Sequence, residues 1–489
     1  MKGTVREKIT LETLSKKAQR LRGTGGRMQF AYAWSPHDGQ IELRYISALP
    51  DQQDFGLWAL PATKEVPSLA EIWPLAGWYE REIMDFYEIR FRDHPDPYPL
   101  VLRDGESTDQ RHRDFAHNPP TNGHPHLPIM EAPDVQQLPF GPIRADVVES
   151  AEFTFFYIGE HILHYQPRLF FKHRGMEQRF EGVRPGEAVV IAERVSAVGG
   201  IAHALAFCQA VEKAANCQAP PRAQALRVLL AELERLYNHL HYLGHLCHTT
   251  TLKVGEAQGK LLEEKAKQLN AKLSGSRFLR NILVPGGLRR DLEIGKWLAD
   301  ELEALRVEFA AYAERLDRTE SHLDRLITTG ILARRIAFDQ GATGPIERAS
   351  GLDRDLRRDH PYACYRELPI RVTMLEEGDA YARQRVRIAE IEASFALCQR
   401  VLLLLEPGQI RVDCVPEPFS EGLGWAEGPR GSLFYAVHMD PEGKLKRVKI
   451  KSPSFSNWRA FPFTVHDTNM MDYAINEASF GLTMAGCDR

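Results

Sequence analysis

Hydrophobic and polar positions alternate over Met28 to Trp34 and Ile41 to Ile46, and this alternation with its aromatic content predicts two strands. Ser68 to Ile72 and Trp78 to Tyr87 carry helical spacing instead. Residues 1–102 therefore read as a small α/β domain. From Arg103 to Phe140 the pattern stops. The run His117-Asn118-Pro119-Pro120-Thr121-Asn122-Gly123-His124-Pro125-His126 sustains neither a helix nor a central strand, because proline has no amide donor. An extended linker over 103–140 follows. Alternation returns at Glu152 to Ile158 and His161 to Tyr165, a hairpin turning at Gly159-Glu160. The period then becomes helical. Glu187 to Ala215, Arg222 to Cys247, Leu261 to Leu273, Leu292 to Ile327 and Ala380 to Leu405 each carry an apolar stripe. Long helices with facing stripes predict a bundle. Beyond Gly408, strands are predicted at Gln409 to Val412, Gly431 to His438 and Lys446 to Ile450, with a helix near Met471 to Glu477. The pattern predicts an α+β chain, with a mainly α-helical bundle domain and flanking small β-sheets over 141–489.

Composition narrows the function classes. The 489 residues include 62 basic and 66 acidic side chains, a net charge of −4, and 43% are hydrophobic. That supports a real core and leaves no basic footprint for nucleic acid. No apolar run approaches the roughly 18 residues of a membrane span, and Met1 to Glu7 lacks a signal-peptide stretch. A soluble cytoplasmic protein with reduced thiols is expected. The seven cysteines are Cys208, Cys217, Cys247, Cys364, Cys398, Cys414 and Cys487, and no two stand in C-x-x-C spacing. The strongest signal for thiolate-bound metals is therefore missing. Gly23-Thr24-Gly25-Gly26 is not a dinucleotide loop, and no Walker loop exists. His241, His245 and His248 fall at i, i+4 and i+7 on one predicted helix face. Three imidazoles there are a candidate zinc or nickel site, without an evident fourth ligand.

Larger motifs carry more. The first domain holds Glu80-Arg81-Glu82-Ile83-Met84-Asp85-Phe86-Tyr87-Glu88-Ile89, then Phe91 and His94-Pro95-Asp96. Taken alone this is a solvated acidic helix running into a turn. As a whole it resembles the 30-kDa-type subunit of respiratory complex I, a module that also opens the large subunits of membrane-bound, energy-converting [NiFe] hydrogenases such as formate hydrogenlyase. In the second domain, Lys172-His173-Arg174-Gly175-Met176-Glu177 resembles the H-R-G-x-E element of 49-kDa-type complex I subunits and hydrogenase large subunits. Glu234-Arg235-Leu236-Tyr237-Asn238-His239-Leu240 resembles their E-R-x-x-N-H-L helix. Val284-Pro285-Gly286-Gly287, Thr343-Gly344-Pro345, Gly378 to Arg383, Glu427-Gly428-Pro429-Arg430-Gly431 and Pro453 to Asn457 follow in family order. The resemblance covers nearly the whole chain and implies a fused 30-kDa plus 49-kDa-type arrangement.

The resemblance also implies what has changed. In hydrogenases the Ni–Fe centre hangs from two C-x-x-C pairs, since the soft metals need four thiolates. The matching positions here hold Ser196, Gly199, Thr483 and Gly486, so the centre is expected to be lost. Cys487 stands one place beyond the last ligand position. The chain stops at Arg489, which resembles the end of complex I subunits rather than a hydrogenase precursor with a maturation peptide. The complex I branch binds a quinone headgroup through two loop histidines and a tyrosine. Those positions hold Arg144, Val148 and Ala197. Three family positions survive. Glu177 matches a hydrogenase proton carrier; a buried carboxylate with a raised pKa relays protons, whereas one paired with Arg174 or another neighbour is structural. Arg194 matches an arginine beside the partner's proximal cluster, where a fixed charge stabilises the reduced form; the alternative is an ordinary interface ion pair. His203 matches a histidine of both branches and reads most simply as a satisfied core residue.

Three functions stay open. The first is a peripheral-arm core subunit of a complex I-like or hydrogenase-related oxidoreductase, without hydrogenase activity of its own. The second is an NADH-quinone-oxidoreductase-type subunit that binds quinone or another acceptor in the remodelled cavity. The third is a non-redox scaffold. The implied partners are a [4Fe–4S]-bearing small subunit, a ferredoxin-like subunit and antiporter-like membrane subunits. They would hold the chain, which needs no bound cofactor itself, on the cytoplasmic side of the membrane.

Overall fold

The computed structural model describes residues 1, 4–36, 40–50, 52–87, 89–102, 132–144 and 149–489. Most of the expected linker, residues 103–131, lies outside the described residues, as does Val148. The chain has an α+β fold.

The first unit is a four-stranded sheet in the order Thr4–Lys8, Phe55–Pro61, Glu42–Ala48, Arg27–Trp34. The first pair is parallel and the others antiparallel. Alternation marks Arg27–Trp34 and Glu42–Ala48 in the sequence; it does not mark Thr4–Lys8 or Phe55–Pro61. Ser68 to Ile72, expected as a helix, is a turn. Glu80 on the helix Ala76–Phe86 captures it, accepting from Ser68 Oγ and from the Leu69 amide at 2.7 Å. Pro67 and Pro74 bracket the segment and deny it a helical ladder.

The second unit opens with Gln136–Phe140, an edge strand at the end of the expected linker. It pairs with the hairpin Glu152–Ile158 and His161–Arg168, and Thr468–Asn469 closes that sheet. Pro221–Thr249 is the central helix, packed against Lys253–Ser274 and Ala380–Leu404. Two expected helices are broken. Leu292 to Ile327 divides into Lys296–Asp317 and Glu320–Leu326. Glu187 to Ala215 divides into Pro185–Val195 and Gly200–Ala215, bent by 116°. Ser196 leaves the helix with φ −141° and ψ 109°, and Gly199 and Gly200 remove the side chains that would have carried it on. Among the described residues no single helix is long and apolar enough to cross a membrane.

Gln409 to Val412 is not a strand; Arg411 makes one isolated bridge to Gly287. The late sheet is instead Glu421–Gly428, Gly431–Met439 and Leu445–Lys451. Its first strand has no clear sequence signal, because Gly422, Gly424 and Gly428 depress strand propensity. The late helix is Tyr473–Phe480.

Ion pairs seal the two units together. Arg44 of the first sheet grips Glu421 of the late sheet with Nη1 at 2.6 Å and Nη2 at 2.9 Å. Glu82 receives Lys449 at 2.7 Å and Arg489 at 3.0 Å. Burial works to raise the Glu421 carboxyl, but the Arg44 guanidinium outweighs it and holds the pKa at about 2. The folded state therefore binds fewer protons than the unfolded chain between about pH 4.5 and 2. The stabilisation is complete above that window and is lost as pH falls through it. Glu421→Gln should flatten the acid limb of a stability-versus-pH curve, measured by urea unfolding from pH 6 downward.

Candidate functional site

The 116° bend and the last helix, Met484–Asp488, meet at one place. Thr483 caps that helix, its hydroxyl accepting from the Gly486 amide at 3.2 Å. The same hydroxyl lies 3.4 Å from Ser196 Oγ and 3.2 Å from Ser454 Oγ. Ser196, Gly199, His203, Arg430, Ser454 and Gly486 are among the walls of a cavity of about 20 Å³. That is room for about one water molecule. Ser196, Gly199, Thr483 and Gly486, the positions that the resemblance sets against the family's cysteine ligands, thus lie close together, although they come from distant parts of the second unit. A β-carbon at Gly486 would stand 2.6 Å from Thr483 Oγ1, so the threonine hydroxyl and the glycine fit each other. One at Gly199 would make ordinary contact with the His203 ring at 3.7 Å. Ser196 and Thr483 bring hydroxyls to this centre and Gly199 and Gly486 bring no side chain, and no thiolate stands among the described walls, which also include the His203 imidazole. Cys487 is buried and is not one of them.

The central helix holds the bend from beneath. Glu234 accepts from the Ile201 and Ala202 amides at 2.7 and 2.9 Å, satisfying the open end of Gly200–Ala215. Asn238 donates to Val198 O at 2.7 Å and accepts from Arg430, which also donates to Gly481 O at 2.6 Å. Arg174 ties the two segments directly, donating to Arg194 O, Val195 O and Ala485 O. The sequence offers no sign of that clamp; there Arg174 reads only as a partner for Glu177.

Glu177 sits elsewhere in the network. Arg447 reaches it at 2.8 Å, Lys449 at 3.1 Å and Arg489 at 3.2 Å, and the Ile450 amide donates at 3.1 Å. Burial raises its pKa, but these three cations together hold the carboxyl below its ordinary value. Of the two readings of Glu177, this arrangement fits the paired carboxylate, with Arg447, Lys449 and Arg489 as its partners, charges that local sequence does not show. His203 shares a hydrogen bond with the Tyr435 hydroxyl through Nδ1 at 2.8 Å, and burial lowers its pKa to about 3. It is a neutral core histidine in the wall. Arg194 is exposed at the rim of the bend, with Nη1 on Val190 O. Arg144 is committed to Glu477 at 3.1 Å and lies over the Phe153 ring. Ala197 is exposed at the start of a 3₁₀ turn.

The three helix-face histidines stack as parallel rings with centroids 6.2 Å apart. His241 turns Nδ1 to Glu263 and His248 turns Nδ1 to Glu256, each at 3.0 Å. Among the described residues no group of three metal-ligating side chains converges on one point.

A two-segment centre at the heart of a helical bundle, with an α/β unit sealed in front, defines a class. The chain belongs to the family that unites respiratory complex I 49-kDa subunits with nickel-dependent hydrogenase large subunits. The model described as "Respiratory-chain NADH dehydrogenase, 49 Kd subunit" matches residues 262–418 and 414–489, its 30 Kd counterpart matches 8–146, and "Nickel-dependent hydrogenase" matches 174–281. Formate hydrogenlyase subunit 5 of Escherichia coli K12 is 32% identical over 83% of this chain and 74% of its own length. The C/D-type NADH-quinone oxidoreductase subunit of Rhodopseudomonas palustris BisB18 is 27% identical over 93% of this chain and 87% of its own. Among solved structures, a chain of the membrane-bound sulfane sulfur reductase, an archaeal respiratory membrane complex, superposes with a TM-score of 0.69 at 25% identity. The match covers 73% of this chain and 99% of that one.

Proposed function

We propose that this chain is a peripheral-arm core subunit of a membrane-associated, formate hydrogenlyase-like oxidoreductase, and that it carries no Ni–Fe centre. The observation that carries the reading is the hydroxyl-and-glycine wall of the converged site. The residues present do not fit the metal pair. Serine and threonine hydroxyls stay protonated at neutral pH and are hard donors, glycine supplies none, and soft metals need thiolates. The same geometry argues against a quinone in this cavity. A quinone ring needs several times the space of one water, and Arg144 is occupied by Glu477.

In this reading electrons pass through a small, [4Fe–4S]-bearing partner subunit, fed by a ferredoxin-like subunit. Antiporter-like membrane subunits anchor the assembly on the cytoplasmic side. Arg194, exposed at the rim, faces the cluster and stabilises its reduced form by its fixed charge. Arg194→Gln should lower the cluster's midpoint potential by tens of millivolts in an EPR redox titration of the assembled complex. Assembly should survive, because the side chain makes only a local bond to Val190 O. An unchanged potential would favour the scaffold reading.

A further inference from the structure

The walls of the converged cavity carry hydrogen-bond donors for which the described residues offer no acceptor. Ser196, Ser454 and Thr483 hold three hydroxyl hydrogens. They make two contacts among themselves, Thr483 Oγ1 to Ser196 Oγ at 3.4 Å and to Ser454 Oγ at 3.2 Å, and no other acceptor reaches them among the described residues. One hydroxyl hydrogen is therefore left over. His203 adds a second donor. Among the described residues the Tyr435 hydroxyl meets only His203 Nδ1, at 2.8 Å, so it donates to that nitrogen and the neutral ring carries its proton on Nε2. Nε2 has no partner among the described residues, and the neighbouring ring atom Cδ2 is the one that a β-carbon on Gly199 would meet. Arg430 adds a third. Its Nε donates to Gly481 O at 2.6 Å and Nη1 to Asn238 Oδ1 at 2.9 Å, while Nη2 bonds nothing among the described residues.

The charge around the cavity has the same bias. Arg430 stands in no ion pair among the described residues, and burial and Arg387 lower its pKa to about 10. Arg387 stands beside the same Gly481, with Nη2 3.5 Å from the position of a β-carbon there. It donates to Ser479 O at 3.2 Å and Phe480 O at 2.9 Å, and Arg383 donates to Gly378 O at 2.7 Å and Gly330 O at 3.0 Å. These two guanidiniums therefore also meet carbonyls instead of carboxylates. Glu149 and Glu234, the carboxylates that favour the Arg430 charge, are occupied by amides, those of Met484 and Ala485 and those of Ile201 and Ala202. A thiolate at any of the four family positions would bring negative charge here. Ser196 and Thr483 bring neutral hydroxyls, and Gly199 and Gly486 bring no side chain. A buried cation without a counter-ion is costly, and a bound anion offsets that cost.

We propose that the converged cavity binds one monatomic anion, a chloride ion, held by the Arg430 guanidinium, the Nε2 proton of His203 and a hydroxyl of Ser196 or Ser454. This rests on the reading that the four thiolates are absent. Size selects the class. A cavity of about 20 Å³ exceeds the roughly 10–15 Å³ that a water needs, which admits a halide and is too small for a polyatomic oxyanion. The ion supplies the negative charge that thiolates supply in a metal-bearing site, and it compensates the arginines behind the wall.

The test uses the purified full-length chain. Crystals are soaked in sodium bromide, and the anomalous signal is recorded at the bromine absorption edge. The expected result is one bromide between Ser454, His203 and Arg430, and none there in Arg430→Gln, which keeps an amide donor but no charge. In solution, sodium chloride should raise Tm above its value in sodium gluconate at equal ionic strength. Ser454→Ala, a smaller change, should weaken the bromide peak and shrink that difference. Bromide confined to the protein surface, with water in the cavity, would overturn the proposal, as would equal Tm in chloride and gluconate. Nickel on the chain would defeat the reading of the site as metal-free, whereas a nickel-free cavity that holds water in bromide defeats only the chloride.

Discussion

Arg348→Ala should lower the unfolding free energy by about 3–5 kcal/mol, which is the cost of breaking a buried charge pair. Arg348 is 1% exposed, and its guanidinium is the hub of a buried network. Nε and Nη2 donate to Glu390 at 3.0 and 2.8 Å, and Nη1 donates to Glu427 at 3.0 Å and to Arg354 O at 2.8 Å. Around it Arg235 and His239 also reach Glu390, and Arg357 bridges Asp355 to Glu232. Burial alone would raise the Glu390 pKa; Arg348, His239 and Arg235 hold it well below the ordinary value. Glu427 is already raised by burial with Arg348 present, and alanine would remove its nearest cation. Arg348→Lys should rescue little, because one ammonium cannot bond both carboxylates in the plane that the guanidinium offers. Since a domain's whole stability is about 5–15 kcal/mol, either change should be plain in the urea midpoint. A loss under about 1 kcal/mol would mean the network is not carrying buried charge.

Gly424→Val should be comparably damaging for a different reason. The strand Glu421–Gly428 lies directly on the helix Gly200–Ala215, whose facing residues Ala202, Ala206, Ala210 and Ala214 are small. A β-carbon on Gly424 would run into the Ala206 carbonyl, and one on Gly422 into the Ala210 carbonyl. These obstacles are backbone, so no rotamer change relieves them. Overpacking a core costs about 1–3 kcal/mol where side chains can shift, and more where they cannot. The helix that would be pushed away begins at the converged site, so its bend should move with it. Gly186→Ala is the control: nothing lies near its β-carbon position, and its effect should stay within about 0.5 kcal/mol. Equal effects of the two substitutions, read by thermal unfolding, would refute the close approach.

The long amphipathic helices and the middle hairpin are legible in the sequence because their periods are set locally, as at Lys253–Ser274 and Glu152–Ile158. The strand Glu421–Gly428 is hidden, since its glycines serve contact with a helix rather than strand propensity. The break at Ser196 is hidden too, because the apolar period runs straight through it and only Glu234, Asn238 and Arg174 fix the bend from outside. Of the site, the four positions at Ser196, Gly199, Thr483 and Gly486 are legible through family order. The surroundings of Glu177 are not: Arg447, Lys449 and Arg489 come from the far end of the chain, and charge placement of that kind leaves no local pattern.

Whether the converged site holds nickel decides the proposed function. Elemental analysis of the full chain, purified in its complex from cells grown with nickel, measures this directly. The expected result is nickel far below one atom per chain, unchanged by Ser196→Ala or Thr483→Val. One nickel per chain, lost on either substitution, would contradict it.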